Sequence, residues 1–412
     1  MDFDILDPQL YATDPFPVYR WLRANAPVYR DEKHQLWLLS KYADVAYVSK
    51  NPKLFCSRFG VTPDADVMIS LVTMDDPRHA QLRAIISRGF TPRMVAQLQP
   101  RIREVVAACI DAVIERGECD FVRDLAVPVP MLVIAELIGI RPDDRDRFWH
   151  WSDTMMLAAG QHGNQPVLEK AAAAYVEYAD YLQEVFSDRR QNPRSDLVSV
   201  LLAAQQDGRL TTDEQNLSAD ELLQFMTLLL VAGNETTRNA MSGGMLAFCE
   251  HRGEWRRLVD NPALVPAAVE EVLRWVTPVV GFRRTATADT ELHGRAIRAG
   301  DKVLMIYQSA NRDEDVFDEP DRLRIDRDPN EHLAFGIGTH FCLGASLARL
   351  ELRVLFEELI RRLPDLRLAP GAHAERLSSL LVRGIARMPM VFTPQRGRSS
   401  AAAHDSQIPE SH

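Results

Sequence analysis

A mainly α fold with small β-sheets around one continuous core follows from three features of the 412-residue sequence. Helical patterning covers most of the chain, one helical segment is far longer than the rest, and strand character is confined to two patches. In chain order, Val28 to Arg30 and Leu36 to Ser40 are β-prone runs around the polar stretch DEKHQ and read as a hairpin. Ser218 can cap a helix, and Glu221 three residues later closes a capping box. Apolar character then continues to Cys249, so a helix from Ser218 to Glu250 extends about 50 Å. From Val279 through Tyr307, apolar and polar residues alternate between glycines, giving the second strand patch. Leu343 to Leu363 is the second strong helix; Leu347, Leu350, Val354 and Leu355 share one face, Arg and Glu occupy the other, and Pro364 stops it. No internal repeat divides the chain. A single domain over 1–394 is expected, followed by a small, polar, disordered tail over 395–412.

Composition narrows the function classes. Hydrophobic residues at 46% and charged residues at 26% suit a globular protein with a large core. A net charge of -10 argues against whole-protein attraction to nucleic acid or anionic membrane. Cys56, Cys109, Cys119, Cys249 and Cys342 are scattered and include no CxxC pair, which disfavours a disulfide framework or zinc ribbon and fits a reducing compartment. The N-terminus, MDFDILDPQLY, carries acids where a signal peptide needs bases. The longest uncharged apolar run, Leu222 to Asn234, is too short to span a bilayer. A cytoplasmic protein with no membrane span and no nucleic-acid partner is expected.

The chemistry concentrates in FGIGTHFCLG, Phe335 to Gly344, with Cys342 just ahead of the second strong helix. Six fixed positions, F-G-x-G-x-H-x-C-x-G, match by chance on the order of 10⁻⁸ per window. A thiolate ligand needs surroundings that favour deprotonated sulfur, and a helix N-terminus offers N–H donors and partial positive charge. Glycines at 336, 338 and 344 let the backbone approach a flat macrocycle.

This segment resembles the haem-binding loop of cytochrome P-450 monooxygenases, in which the cysteine is the proximal iron ligand. The resemblance implies the P-450 fold around a haem-centred core, with haem b held by Cys342. AGNETT, Ala232 to Thr237, looks like the family's oxygen-binding kink; by that likeness Thr236 and Glu235 form the acid–alcohol pair that relays protons. Glu271 and Arg274 resemble the family's structural E-x-x-R pair, a pattern that Glu235/Arg238, Glu254/Arg257, Glu319/Arg322 and Glu358/Arg361 also match; position before the second strand patch selects the first. The haem propionates need Arg or His donors. His79 and Arg83 in HAQLR match the family's H-x-x-x-R, and Arg284 and His340 complete the set, with Arg283 competing for the place of Arg284.

The likeness extends from DPFPVYRWLR through MDDPRHAQLR and NRDEDVF to MPMVFTP. It implies a bacterial class I enzyme that inserts one atom of O2 into a C–H bond of a lipophilic molecule. The resemblance also implies that electrons come from NAD(P)H through a separate ferredoxin and ferredoxin reductase. GECDFVRDLAVPVP and RRLPDLRL look like actinobacterial sterol side-chain hydroxylases and favour a steroid or sterol over a terpenoid, fatty acid or other secondary metabolite. AGNETT departs from the Gly-Gly-Asp form those enzymes often carry. A peroxide-using relative lacks the acid–alcohol pair, and a non-catalytic haem sensor needs Cys342 without it. The pocket is expected to draw on Phe59 to Met74, Trp149 to Leu168, Leu228 to Thr236, Val279 to Phe282 and Leu380 to Ile385.

Overall fold

The computed structural model describes residues 3–66, 68, 70–158, 165–194, 196–206 and 218–396. The expected tail over 395–412 lies outside the described residues from position 397 onward.

The axis of the molecule is the 32-residue helix Ala219–Glu250. Its start is the capping box read from the sequence: Ser218 Oγ accepts from Glu221 N at 3.1 Å, and Glu221 accepts from Ser218 N at 2.9 Å. Arg78 donates to the same carboxylate at 2.8 Å and ties the helix Arg78–Ile86 to this end. Two glycines let a neighbour cross closely. A Cβ on Gly244 would sit 2.6 Å from Val272 Cγ1, and one on Gly243 would sit 2.7 Å from Val276 Cγ1, so valines of the helix Val265–Val276 pack directly on the glycine backbone.

The second strong helix spans Ala345–Arg362, with Gly344 at its N-cap, and packs on Gln99–Ile114 and Val265–Val276. Leu347, Leu350, Val354 and Leu355 are buried as their spacing requires. Two acids expected on the polar face are buried as well. Glu351 lies one turn beyond Leu347 and therefore shares its stripe, while Glu358 is paired with Arg103 at 2.7 Å and with Arg361.

Both strand patches contribute to one five-stranded sheet, ordered Val28–Asp31, Leu36–Leu39, Lys302–Ile306, Gly281–Ala286, Phe55–Cys56. Only the pairing of Leu36–Leu39 with Lys302–Ile306 is parallel. Leu36, Leu38, Leu304 and Ile306 pack on one face of it and Trp37, Leu39, Val303 and Met305 on the other, as a two-residue period dictates. The apolar interior is thus a large helical cluster plus one smaller cluster against each sheet face.

Candidate active site

Between the middle of the Ala219–Glu250 helix and the start of the Ala345–Arg362 helix lies a cavity with a mostly apolar wall. Phe225, Leu228, Leu229, Ala232 and Ala240 border it from the long helix, and Val279 and Phe282 border it from the second strand patch. Among the described residues of 59–74, Leu71 and Val72 contribute. Among the described residues, neither Trp149 to Leu168 nor Leu380 to Ile385 borders it. Trp151 of the helix Arg145–Ala158 packs on Tyr178 and Tyr181 instead, and 159–164 lie outside the described residues. In Leu380 to Ile385, the bridge from Val382 to Val279 and the pairing of Ile385 with Arg376 turn Arg383 and Ile385 toward a separate cavity.

The loop ahead of the Ala345–Arg362 helix presents Cys342 to the cavity. Cys342 N donates to Phe335 O at 2.9 Å, folding the motif back on itself. Gly338, at φ +78°, lies so close to the helix Tyr42–Lys50 that a Cβ would meet Ser49 O at 2.6 Å. Gly336 and Gly344 border the cavity; a Cβ on Gly344 would meet no protein atom within 4 Å, and one on Gly336 none closer than 3.9 Å. Cys342 is open to the cavity but deep in the fold, and this partial desolvation raises its thiol, opposed by the N–H groups of Gly344 and Ala345 and by Arg83 and Arg349. Those opposing groups are the donors that a metal-bound thiolate requires.

His79, Arg83, Arg284 and His340 come together on the same cavity. Arg83 Nη2 donates to Phe341 O, and Arg284 Nη1 donates to Arg283 O at 2.8 Å; neither guanidinium has a carboxylate within ion-pair distance among the described residues. The His79 and His340 rings lie 4.2 Å apart between centroids. Neither nitrogen of the buried His79 has a hydrogen-bond partner, and His340 Nε2 is 3.2 Å from Ser57 Oγ. Burial pulls both histidines and both arginines down, and Arg284, His79 and Arg83 help hold His340 at about 2. His79 Nδ1 also lies 3.6 Å from Asp76 Oδ1, so it is the half-buried Arg83 and the buried Arg284, two guanidiniums without a carboxylate facing one open space, that are the complement of an anionic group. Arg283, by contrast, leaves the cavity: its Nη2 is 2.6 Å from Asp66 Oδ1. Alternation along the strand Gly281–Ala286 sends the two neighbours to opposite faces.

Thr236 borders the cavity, with Oγ1 donating to Ala232 O at 2.8 Å, and Thr237 makes the same bond to Gly233 O at 3.1 Å. The structure does not bring Glu235 to the wall. Its Oε1 is held by Arg238 Nη2 at 2.6 Å and Asn239 Nδ2 at 2.9 Å, and Oε2 has no partner. One residue of helix is a turn of about 100°, which separates the acid from the alcohol.

Glu271 and Arg274 are fully buried and joined by two 2.8 Å bonds. Sequence reasoning missed the rest of this network: Arg327 Nε and Asn330 Nδ2 each reach Glu271 Oε2 at 3.1 Å, and Arg274 donates to Asn311 O and Pro320 O. Asn311 Oδ1 in turn accepts from Leu333 N at 2.7 Å, just before the cysteine loop. Sequence reasoning also missed Glu351, which borders the cavity with Oε2 unpartnered, and whose carboxyl burial pushes up to about 8. Its place one turn after Leu347 was the available signal.

A cysteine at a helix start, an apolar chamber over it and an anion-seeking wall define a haem-thiolate enzyme. The chain belongs to the cytochrome P450 family: the family model named Cytochrome P450 matches residues 161–372. A Steroid C26-monooxygenase of Mycolicibacterium smegmatis is 43% identical over 394 residues, covering 95% of this chain and 96% of that protein. A Methyl-branched lipid omega-hydroxylase of Mycobacterium tuberculosis H37Rv is 40% identical over 370 residues, covering 87% and 84%. The crystal structure of CYP109E1 from Bacillus megaterium in complex with testosterone superposes with a TM-score of 0.85 at 33% identity, covering 92% of this chain and 99% of that one. The protein is a P450 monooxygenase, and the family's cofactor is haem; the glycines that leave space beside Cys342 and the unpaired cations suit a flat group bearing two carboxylates.

Proposed function

We propose that this enzyme hydroxylates a steroid or sterol, using haem b bound through Cys342 and electrons passed from NAD(P)H by a separate ferredoxin and its reductase. Haem, when bound, supplies the iron that activates O2, and thiolate ligation favours O–O cleavage. The observation that carries the reading is that Cys342 shares one largely apolar cavity with His79, His340 and two guanidiniums, Arg83 and Arg284, that have no carboxylate within ion-pair distance among the described residues. In it Arg83, Arg284, His79 and His340 would hold the propionates, and the Thr236 hydroxyl on the long-helix wall would orient protons. Glu235 restrains the helix through Arg238 and Asn239, both on Oε1, and would reach the cavity with a proton only by turning away from them. Leu71, Val72, Phe225, Leu228, Leu229 and Phe282 exclude water from a lipophilic substrate. The likeness to the steroid C26-monooxygenase supports a sterol side chain as the position oxidised.

Glu271 and Arg274 act structurally, through the network that ends at Leu333 N. No described helix is long and apolar enough to cross a membrane, and the free cysteines fit the cytoplasm. Reconstitution with a ferredoxin, its reductase and NAD(P)H tests the proposal. Cholest-4-en-3-one is expected to shift the ferric haem toward high spin and to yield a side-chain alcohol. A spin shift and product with palmitic acid but none with any sterol would overturn the substrate assignment.

A further inference from the structure

A second cavity, of about 340 Å3, lies away from the haem chamber, between the N-terminal segment, the C-terminal half of the long helix and the hairpin carrying Arg376 and Arg383. Its wall includes three guanidiniums, Arg312, Arg376 and Arg383, against two carboxylates, Asp14 and Glu250.

The arginines are poorly matched within the protein. Arg312 is buried between aromatic faces, 3.7 Å from the Trp275 ring centre and 4.5 Å from that of Phe16; it donates to Asp321 at 3.1 Å and to Trp275 O at 3.3 Å, and only its Nε has no partner. Arg383 donates to Thr13 O at 3.3 Å, and its Nε is also unpartnered. Arg376 makes no side-chain hydrogen bond or ion pair among the described residues. Neither Arg376 nor Arg383 has Asp14 or Glu250 within ion-pair distance, and Asp14 Oδ1 is spent on Phe16 N at 3.1 Å. Burial pulls Arg312 down to about 9 and Arg383 to about 10, with repulsion from Arg376 adding to the latter. A guanidinium presents five planar donors, and the half-buried Arg376, whose side chain makes no internal bond, together with Arg383, which makes one long bond, leaves donors on a polar cavity wall that an oxyanion matches best.

We propose that this cavity is an anion site, taking the phosphate or carboxylate of a compact polar molecule between Arg376 and Arg383, with Arg312 behind them. The site communicates with the haem chamber through the segment joining the two strands of the hairpin. Arg383 N donates to Pro278 O at 2.9 Å and Val280 N to Leu381 O at 2.9 Å, and Pro278 and Val279 line the chamber. Gly384 abuts Asn239, where a Cβ would come within 2.5 Å of Oδ1, and Asn239 is a ligand of Glu235. Occupancy therefore tightens the segment that walls the substrate.

The test titrates the haem-loaded protein with inorganic phosphate and, separately, with succinate, holding ionic strength constant with sodium chloride, and reads the melting temperature. A saturable rise with phosphate alone assigns a phosphorylated ligand, with succinate alone a carboxylate, and with both a general oxyanion site; each supports the proposal if Arg376→Gln removes it. Arg376 suits this role because no internal bond depends on its guanidinium, and Arg383→Gln provides an independent check should one variant fold poorly. No saturable response to either anion, or an equal response in folded Arg376→Gln and Arg383→Gln, overturns it. Neither outcome bears on the haem-thiolate assignment, because the readout is independent of turnover.

Discussion

Arg283 and Arg284 are consecutive in one strand yet serve opposite sides of it: Arg283 Nη2 binds Asp66 at 2.6 Å, whereas Arg284 turns to the cavity that Cys342 also borders. The two positions therefore separate a role toward the cofactor from a role in the fold. Arg284→Ala is expected to remove a charge-assisted bond to a propionate, worth about 1.5–3 kcal/mol, and to speed haem loss roughly tenfold to a hundredfold. Arg283→Ala should loosen the 59–66 segment without that acceleration. Transfer of haem to excess apomyoglobin measures both rates, and equal rates for the two variants would remove Arg284 from the set.

Cys342 has a sharper signature. The reduced protein with carbon monoxide should show the long-wavelength Soret band of thiolate ligation, and Cys342→Ser should abolish it. A fully haem-loaded wild type without that band refutes the axial assignment.

Thr236 and Glu235 are distinguished by where their side chains go. Thr236→Ala should retain sterol binding but divert reducing equivalents to hydrogen peroxide, because its hydroxyl is the one on the cavity wall. Product formed per NAD(P)H consumed, measured beside peroxide, checks this; unchanged coupling refutes it. Glu235→Gln should keep most of its contact with Asn239 while weakening the Arg238 pair, and so should uncouple less than Thr236→Ala.

What was legible in the sequence was local. The Ser218–Glu221 capping box needs only two side chains three residues apart, and the observed helix starts at Ala219. The hairpin and the cysteine loop were readable for the same reason. What escaped depends on distant partners. Arg327 and Asn330 meet Glu271 from 56 and 59 residues away, a separation with no periodic trace. Strand alternation implied that Arg283 and Arg284 face opposite ways but could not say which side holds the cavity. Of Leu380 to Ile385, expected on the haem chamber, Arg383 and Ile385 border the second cavity instead, because the pairing of the segment with Val279 and Arg376 is invisible in composition.

The Glu271–Arg274–Arg327 cluster supports the approach to the cysteine loop rather than the chemistry. Arg274 is fully buried and Glu271 receives Arg327 and Asn330 as well, so Arg274→Ala leaves a buried carboxylate short of donors. The expected loss is about 3–5 kcal/mol of stability, with poor haem incorporation. Chemical denaturation of the haem-loaded protein measures it, and a loss no larger than that of an exposed pair, about 1 kcal/mol or less, would count against the role.

Glu270 gives the protein a defined acid sensitivity. Burial raises its carboxyl, but hydrogen bonds from His332 Nε2 at 3.2 Å and Arg349 at 2.8 and 2.9 Å outweigh it and hold the group at about 2, below its ordinary 4.5. A carboxyl whose folded-state value is depressed contributes stability that is fully present above the unfolded value and is lost as pH falls through the folded one. The contribution should therefore be complete above pH 5 and should decline between about 4.5 and 2, as the unfolded chain takes up a proton that the folded chain refuses. Because the three partners join the Val265–Val276 helix, the loop before Phe335 and the Ala345–Arg362 helix, that decline should loosen the cysteine loop first. Glu270→Gln should be less stable than wild type at pH 7 and should show a shallower loss across the acid window. Urea unfolding at pH 3.0, 4.0, 5.0 and 7.0 measures the difference. Parallel curves for the two proteins between pH 4.5 and 3 would show that the titrating group lies elsewhere.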